Sequence, residues 1–244
     1  MIYFSHQINT KEGDMSYFNN IVKTFADAIY LTLIKDDRFS QLVIGFKASI
    51  EITLFAALIG VVLGLILAIL RLRGKGPLTA FANGYITVIR GTPTVVQLTI
   101  IYFIILGQSG LPDILVAAAA FGINSGAYVA EIIRAGIMAV DRGQMEAGRS
   151  LGLSYSQTMT HIVVPQAIKN VLPALGNELI VLLKETSVAG YIGVKDLMKG
   201  GTSIAAATYN YFVPLLCVAY IYLMMTTSMA SALNRLERRL QRSD

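Results

Sequence analysis

The chain has 244 residues, of which 55% are hydrophobic and 14% are charged. This apolar content exceeds that of ordinary soluble domains and predicts an integral membrane protein. The net charge of +5 comes from basic residues in short loops between apolar runs, a pattern that indicates membrane topology and argues against a nucleic-acid partner. The single cysteine excludes an internal disulfide framework.

Residues 1–44 precede the first long apolar run and contain no segment that resembles a cleaved signal peptide. Apolar residues recur in them at helical spacing, which predicts an amphipathic helix on the outer membrane surface; they are Phe18, Ile21, Val22, Phe25, Ile29 and Leu33. A sixth span is the alternative, but Lys23 and Asp27 interrupt a run that is already too short to cross. We therefore assign 1–44 to an extracytoplasmic amphipathic segment.

Five apolar segments follow, and they predict an all-α domain of five transmembrane helices over 45–237. The uncharged run 52–70 has the length of about 20 residues that a helix needs to cross a bilayer. The second segment, 78–106, is interrupted near residue 91, which predicts a short entry helix and then a crossing helix. The remaining predicted spans are 111–140, 171–190 and 209–233.

The distribution of Lys and Arg predicts the orientation of these spans. Basic residues follow spans one, three and five, whereas the loop 107–113 has none, and the loop after span four carries Lys195 and Lys199 against Asp196. This pattern predicts an outer N-terminus and a cytoplasmic tail at 238–244. The polar connection between spans three and four then lies in the cytoplasm.

That connection, EAGRSLGLSYSQTMTHIVVP at 146–165, carries its own helix signals. Glu146 is predicted to stand in the first turn of a short helix, and Gly152 to stop that helix in the left-handed conformation. An S-x-x-Q capping box at residue 154 predicts a second helix that runs until Pro165. The predicted shape is helix, elbow, helix. These signals alone allow equally an amphipathic loop helix resting on lipid headgroups.

The same stretch resembles the EAA motif, EAA-x3-G-x9-I-x-L-P, of the type I permeases of ABC-transporter importers. Gly148 replaces the third small residue, and Val164 replaces the leucine before the proline. IRGTPTVVQL at 89–98 resembles the RGTP-x3-Q element of the polar amino acid permease subfamily. LLKETSVAGYIGVKDL at 182–197 is similar to that subfamily's LKDTSL segment, with Glu185 for the aspartate and Val188 for the leucine.

The resemblance covers most of 45–237 and implies a bacterial inner-membrane permease that translocates a polar amino acid. In that family the elbow is a coupling helix that docks on a separate ATPase subunit. Carried over, the coupling residues would be Glu146, Ala147, Gly148, Gly152 and Leu153. An extracytoplasmic binding protein and a second permease chain, identical or similar, are the other implied partners.

No G-x4-G-K-[ST] stretch occurs in the chain, so we expect ATP and Mg to be bound by the partner ATPase and no cofactor to be bound here. The two histidines are far apart, and no metal-ligand cluster or catalytic triad is visible, so we expect a transport subunit and not an enzyme. An ion-driven secondary transporter is the alternative, although no inverted repeat supports it.

Ionisable residues inside predicted spans cost about 2.5 kcal/mol or more in hydrocarbon and therefore indicate a cavity or a partner. Span four is the richest, and we predict that its polar residues, together with Gln97, line the substrate pathway: Asn177, Glu178, Lys184 and Glu185. Glu178 could receive an amino or other cationic group of the substrate. The alternative is that Lys184 and Glu185 form an interfacial pair and Glu178 bonds a neighbouring helix.

The interruption of span two contains Arg90, Gly91 and Pro93. Proline removes a backbone hydrogen bond and glycine eases bending, which predicts a hinge. Equally, Arg90 could simply extend to the cytoplasmic interface.

Overall fold

The computed structural model describes residues 20, 22–24, 26–72 and 74–241. These residues are predominantly helical and contain no β-strand, which confirms the all-α class. Phe18, Ile21 and Phe25 of the predicted amphipathic helix lie outside the described residues, as do the last three residues of the predicted tail.

After a stretch of α-helix at 26–29, nine further α-helices follow one another along the described chain. They are α1 (Phe39–Leu72), α2 (Pro77–Arg90), α3 (Thr94–Ile100), α4 (Asp113–Met138), α5 (Arg142–Ser150), α6 (Tyr155–Thr158), α7 (Val164–Glu185), α8 (Leu197–Thr208) and α9 (Phe212–Gln241). Wider π-helical turns occupy Tyr30–Ile34, Ile101–Leu106 and Met159–Val163, and tighter 3-10 segments occupy Lys35–Asp37 and Thr186–Ile192.

Three described helices, α1, α4 and α9, are long and apolar enough to cross a membrane. A fourth crossing results if α2 and the segment Thr94–Leu106, which meet at 108°, form one broken span. The break falls where the sequence predicted an interruption. α7 occupies the predicted fourth span and has 22 residues, but it is not among the described helices that are apolar enough to cross. The count of five spans stays a prediction.

The closest packing in the bundle joins α1 to α4. Each helix contributes two glycines four residues apart, Gly60 and Gly64 on α1 and Gly122 and Gly126 on α4. A Cβ added to Gly122 would lie 2.6 Å from Cβ of Ile59, and one added to Gly126 would lie 2.9 Å from Cβ of Leu63. Within a bilayer, such small residues let two backbones approach closely enough for van der Waals packing to hold them.

The opposite face of α1 is covered with exposed apolar side chains, as a lipid-facing surface requires; they include Leu54, Leu58, Val62, Leu65 and Ile69. The C-terminal parts of α1 and α4 are also joined by charge. Arg71 donates to Glu131 at 2.6 Å, and Arg134 pairs with the same carboxylate. Glycine packing and this charge cluster together fix α4 against α1 over most of its length.

A helix that the sequence did not predict, α8, replaces much of the supposed loop after span four. Asp196 caps it by accepting from the N–H groups of Met198 at 2.9 Å and Lys199 at 3.3 Å. Burial raises the pKa of Asp196 to about 6, although those two N–H groups act to lower it. α8 packs with the beginnings of α1 and α9 around a buried cluster of Leu33, Leu42, Leu197, Ile204, Val213 and Val218.

The contact between α1 and α4 predicts a clear difference between two glycine substitutions. Gly122→Ala adds a methyl group where Ile59 already stands, and we expect a loss of about 1 to 3 kcal/mol of stability because the helices must separate. Gly84→Ala, in α2 with no atom within 4 Å of the added carbon, should be neutral or slightly stabilising. Thermal unfolding of both purified variants measures this. Equal midpoints would contradict the packing role.

Candidate functional site

The elbow begins one turn earlier than the sequence suggested. α5 starts at Arg142, because Asp141 caps it by accepting from the N–H of Gly143 at 2.6 Å. Glu146 therefore lies in the middle of α5, and the prediction that it stands in the first turn is wrong. The Asp141 carboxylate supplies the negative charge at the helix N-terminus, which is the role predicted for Glu146. Glu146 and Ala147 are instead exposed on the surface of α5.

The bend itself is as predicted. Gly152 has φ +87°, the left-handed conformation that glycine adopts most easily. The N–H of Leu153 donates to the Gly148 carbonyl at 3.2 Å, and the N–H of Gly152 donates to the Arg149 carbonyl at 3.1 Å. This pair of bonds is the Schellman arrangement that ends a helix at glycine. The elbow thus has a defined backbone geometry.

The second helix of the elbow starts with the predicted capping box. The N–H of Gln157 donates to the Ser154 hydroxyl at 3.2 Å, and the Gln157 side chain accepts from the Ser154 N–H at 2.8 Å. The prediction that this helix ends at Pro165 is wrong. The wide turn Met159–Val163 places Pro165 in the first turn of α7, where a missing N–H is tolerated, and the chain continues as a helix to Glu185.

Gly148 is buried between the two arms of the elbow. A Cβ on it would lie 2.5 Å from Cγ2 of Thr158 and 3.0 Å from Cδ1 of Ile162. The absence of a side chain at Gly148 therefore lets α5 pack closely against α6 and the turn that follows it. α5 and α6 are held together as one unit, with Glu146 and Ala147 left on its outer surface.

The broken span is stabilised by Gln97. In an uninterrupted helix the N–H of residue 93 would donate to the carbonyl of Ile89, but Pro93 has no N–H. The amide nitrogen of Gln97 donates to that carbonyl at 2.6 Å and to the Thr92 hydroxyl at 2.6 Å. Gln97 is buried, and its side chain is therefore committed to the bend that Gly91 and Pro93 create.

Arg90, at the end of α2, lies over an aromatic ring of α4. Its guanidinium carbon is 5.4 Å from the centre of the Tyr128 ring, within the range of a cation–π interaction. The Tyr85 hydroxyl donates to the Ile123 carbonyl at 2.6 Å one turn earlier on α4. Both contacts hold α2 against α4, so the part of the hinge that precedes the break is anchored.

Two neighbouring residues of α4 join the broken span to α7. Asn124 donates to the Gln97 side-chain oxygen at 2.9 Å, and Ser125 donates to a Glu178 carboxylate oxygen at 2.9 Å. Sequence reasoning missed both, although an adjacent Asn and Ser within an otherwise apolar span were a visible signal. The structure thus brings Gln97 and Glu178, two of the predicted pathway residues, to neighbouring positions on one turn of α4.

Glu178 is only partly buried, and Ser125 is its hydrogen-bond donor. Among the described residues, no lysine or arginine nitrogen lies within 4.0 Å of its carboxylate. Nor do Lys184 and Glu185 form an ion pair within that distance. Asn177 and Lys184, which are seven residues apart and so share a face of α7, are exposed, while Glu185 is half-buried. The described residues contain no group of His, Cys, Asp or Glu that could hold a metal ion.

The chain belongs to the family of binding-protein-dependent transport system inner membrane components, whose model matches residues 60–242. It is 39% identical to the arginine transport system permease protein ArtQ of Bacillus subtilis, over 82% of this chain and 92% of that one. It is 40% identical to a putative glutamine transport system permease protein GlnP of Rickettsia conorii, over 78% of this chain and 90% of that one. The resemblance to amino acid permeases of ABC importers is thereby confirmed.

Solved structures share the fold. A crystal structure of an amino acid ABC transporter with histidines matches with a TM-score of 0.78 and 45% sequence identity, covering 82% of this chain and 94% of that chain. An inward-facing MetNI methionine ABC transporter matches with a TM-score of 0.73 at 19% identity, covering 84% and 99% respectively. The second match shows the fold alone.

The role of Gln97 predicts the effect of removing its amide. Gln97→Leu should leave the Ile89 carbonyl and the Asn124 amide without their partner, and each such buried group costs about 1 to 3 kcal/mol. Thr99→Val is the control, since that hydroxyl bonds only carbonyls of its own helix. Thermal unfolding should show a large loss for Gln97→Leu and a small one for Thr99→Val. A Gln97→Leu protein as stable as its control would contradict this account of the bend.

Proposed function

We propose that the chain is the membrane-spanning permease subunit of an ATP-binding-cassette importer for a polar amino acid. The family match supports the transport role, and the relatives named for arginine and glutamine transport support the substrate class. Nothing in these comparisons favours the ion-driven alternative. In this proposal the chain is not an enzyme, and the ATP and Mg are bound by a partner ATPase.

The observation that carries the substrate proposal is the Glu178 carboxylate. It lies in the part of α7 assigned to the membrane, with a serine hydroxyl as its donor and no cation of the described chain within 4.0 Å. A carboxylate in such an environment is stabilised by a positive charge. The ammonium group of an amino acid, or a cationic side chain such as that of arginine, can supply that charge as the substrate passes.

Asn177 and Lys184 support the presence of a second permease chain. Both are exposed on one face of α7, and such groups are unfavourable against lipid. A second copy, or a similar chain, would cover this face and close a pathway between the two chains. Lys184 could then attract the substrate carboxylate.

The elbow fits the docking of the partner ATPase. Glu146 and Ala147 are exposed on α5, Gly148 joins α5 to α6, and Gly152 with Leu153 fixes the angle between them. From α6 the helical path continues through Met159–Val163 into α7 and so reaches Glu178. Movement of the ATPase subunits would therefore be transmitted along one helix to the pathway.

The remaining parts of the proposal concern orientation. With the elbow in the cytoplasm, the N-terminal segment 1–44 and the beginning of α8 lie outside, the membrane domain spans 45–237, and 238–244 lie in the cytoplasm. An extracytoplasmic binding protein would deliver the amino acid to the outer side of the inner membrane. Gly91 and Pro93, with Arg90 anchored on α4, would let the broken span bend between the two states.

The substrate proposal is tested by Glu178→Gln, which removes the charge and keeps the size. We expect the KM for uptake of the amino acid to rise at least about tenfold, because the substrate cation loses its partner. Glu51→Gln is the matched control, since Glu51 pairs with Lys47 in the first half of α1. Uptake into vesicles that contain the complete transporter measures both. Equal KM values for Glu178→Gln and the wild type would contradict the role of Glu178.

A further inference from the structure

Three exposed residues near the start of α8 form what we call the lysine patch, namely Tyr191, Lys195 and Lys199. The Tyr191 side chain is 72% exposed, and both lysines are exposed. Among the described residues, neither lysine nitrogen lies within 4.0 Å of a carboxylate oxygen. The patch therefore carries two positive charges with no partner from the described part of the chain.

The carboxylate between the two lysines in sequence does not neutralise them. Asp196 is fully buried and accepts from the backbone of Met198 and Lys199, so its oxygens point into the fold as the cap of α8. Two other cations toward this end of the molecule do have carboxylate partners. Arg38 lies 2.7 Å from Asp36, and Lys47 lies 3.8 Å from Glu51.

The patch is also preformed. Ala189 and Ile192 are buried and anchor the 3-10 segment Thr186–Ile192, which presents Tyr191 outward. A Cβ added to Gly190 would lie 3.3 Å from both an Asp196 carboxylate oxygen and Cβ of Lys199, so this segment and α8 are in close contact. Little ordering of the backbone would be needed for a partner to bind.

We propose that the lysine patch is a docking surface for an acidic face of the extracytoplasmic binding protein. This inference rests on the proposed function, which places α8 on the outer side. Lysines are less common in outer loops than in cytoplasmic ones, and two exposed lysines without a carboxylate partner give this surface a local positive charge that an acidic protein face can match. Tyrosine is enriched in protein interfaces, and opposite charges on two proteins speed and orient their encounter.

The test uses the complete transporter in nanodiscs of zwitterionic phosphatidylcholine. The probe is the amino-acid-loaded binding protein of the source organism that most strongly stimulates ATP hydrolysis by the wild-type complex. For the double variant Lys195→Glu with Lys199→Glu, we expect the half-saturating concentration of this protein to rise about tenfold or more. ATP hydrolysis without the binding protein should not change. Added salt should weaken docking of the wild type more than docking of the variant.

Lys47→Glu is the matched control, because it reverses a lysine in the first half of α1 that is paired with Glu51. This variant should leave the half-saturating concentration near that of the wild type. An unchanged value for the double variant would overturn the docking inference while leaving the proposed function intact. So would a shift seen only in nanodiscs with anionic phosphatidylglycerol, which would show that the lysines bind lipid headgroups. If no binding protein stimulated the wild-type complex, the proposed function would fail as well.

Discussion

The tight packing of α1 against α4 is the constraint on which the rest of the bundle depends. Glycines on both helices remove the side chains that would hold the backbones apart, and Gly60 lies directly against Ser125. With α4 held in this way, Asn124 and Ser125 reach the broken span on one side and α7 on the other. A polar group inside a membrane needs a partner from the protein, and one turn of α4 supplies partners to both neighbours.

The proposed mechanism follows from where the chain is rigid and where it is interrupted. The elbow has a left-handed glycine, a capping box and an internal contact at Gly148, so its two arms keep their angle. Its second arm continues into the helix that carries Glu178. The broken span differs, because side chains close its backbone gap at Pro93: Gln97 donates to the Ile89 carbonyl and Thr92 to the Val88 carbonyl. Movement of the elbow would thus be transmitted along α7 to the pathway. The pathway also contacts the bend of the broken span, which side-chain hydrogen bonds hold.

Features set by local chemistry could be predicted from the sequence, and features set by tertiary contacts could not. The stop at Gly152 and the capping box after it depend on neighbouring residues alone, and both were predicted correctly. The predicted position of Glu146 was wrong because Asp141 caps the helix and so starts it earlier. The predicted helix end at Pro165 was wrong because the wide turn Met159–Val163 places the proline in the first turn of the next helix. Gln97 was recognised as polar, but its bond to the Ile89 carbonyl exists only in the folded bend. α8 was not predicted, despite its capping aspartate, because its packing against α1 and α9 exists only in the folded bundle.

The most direct test of the account is the ratio of amino acid imported to ATP hydrolysed in vesicles that contain the permease, its ATPase and the binding protein. Glu146→Lys, which reverses an exposed charge on α5, should lower this ratio at least about tenfold, because docking of the elbow fails while each subunit stays folded. Glu237→Lys makes the same change near the end of α9 and should keep the wild-type ratio. A wild-type ratio for Glu146→Lys would contradict the role of the elbow in coupling.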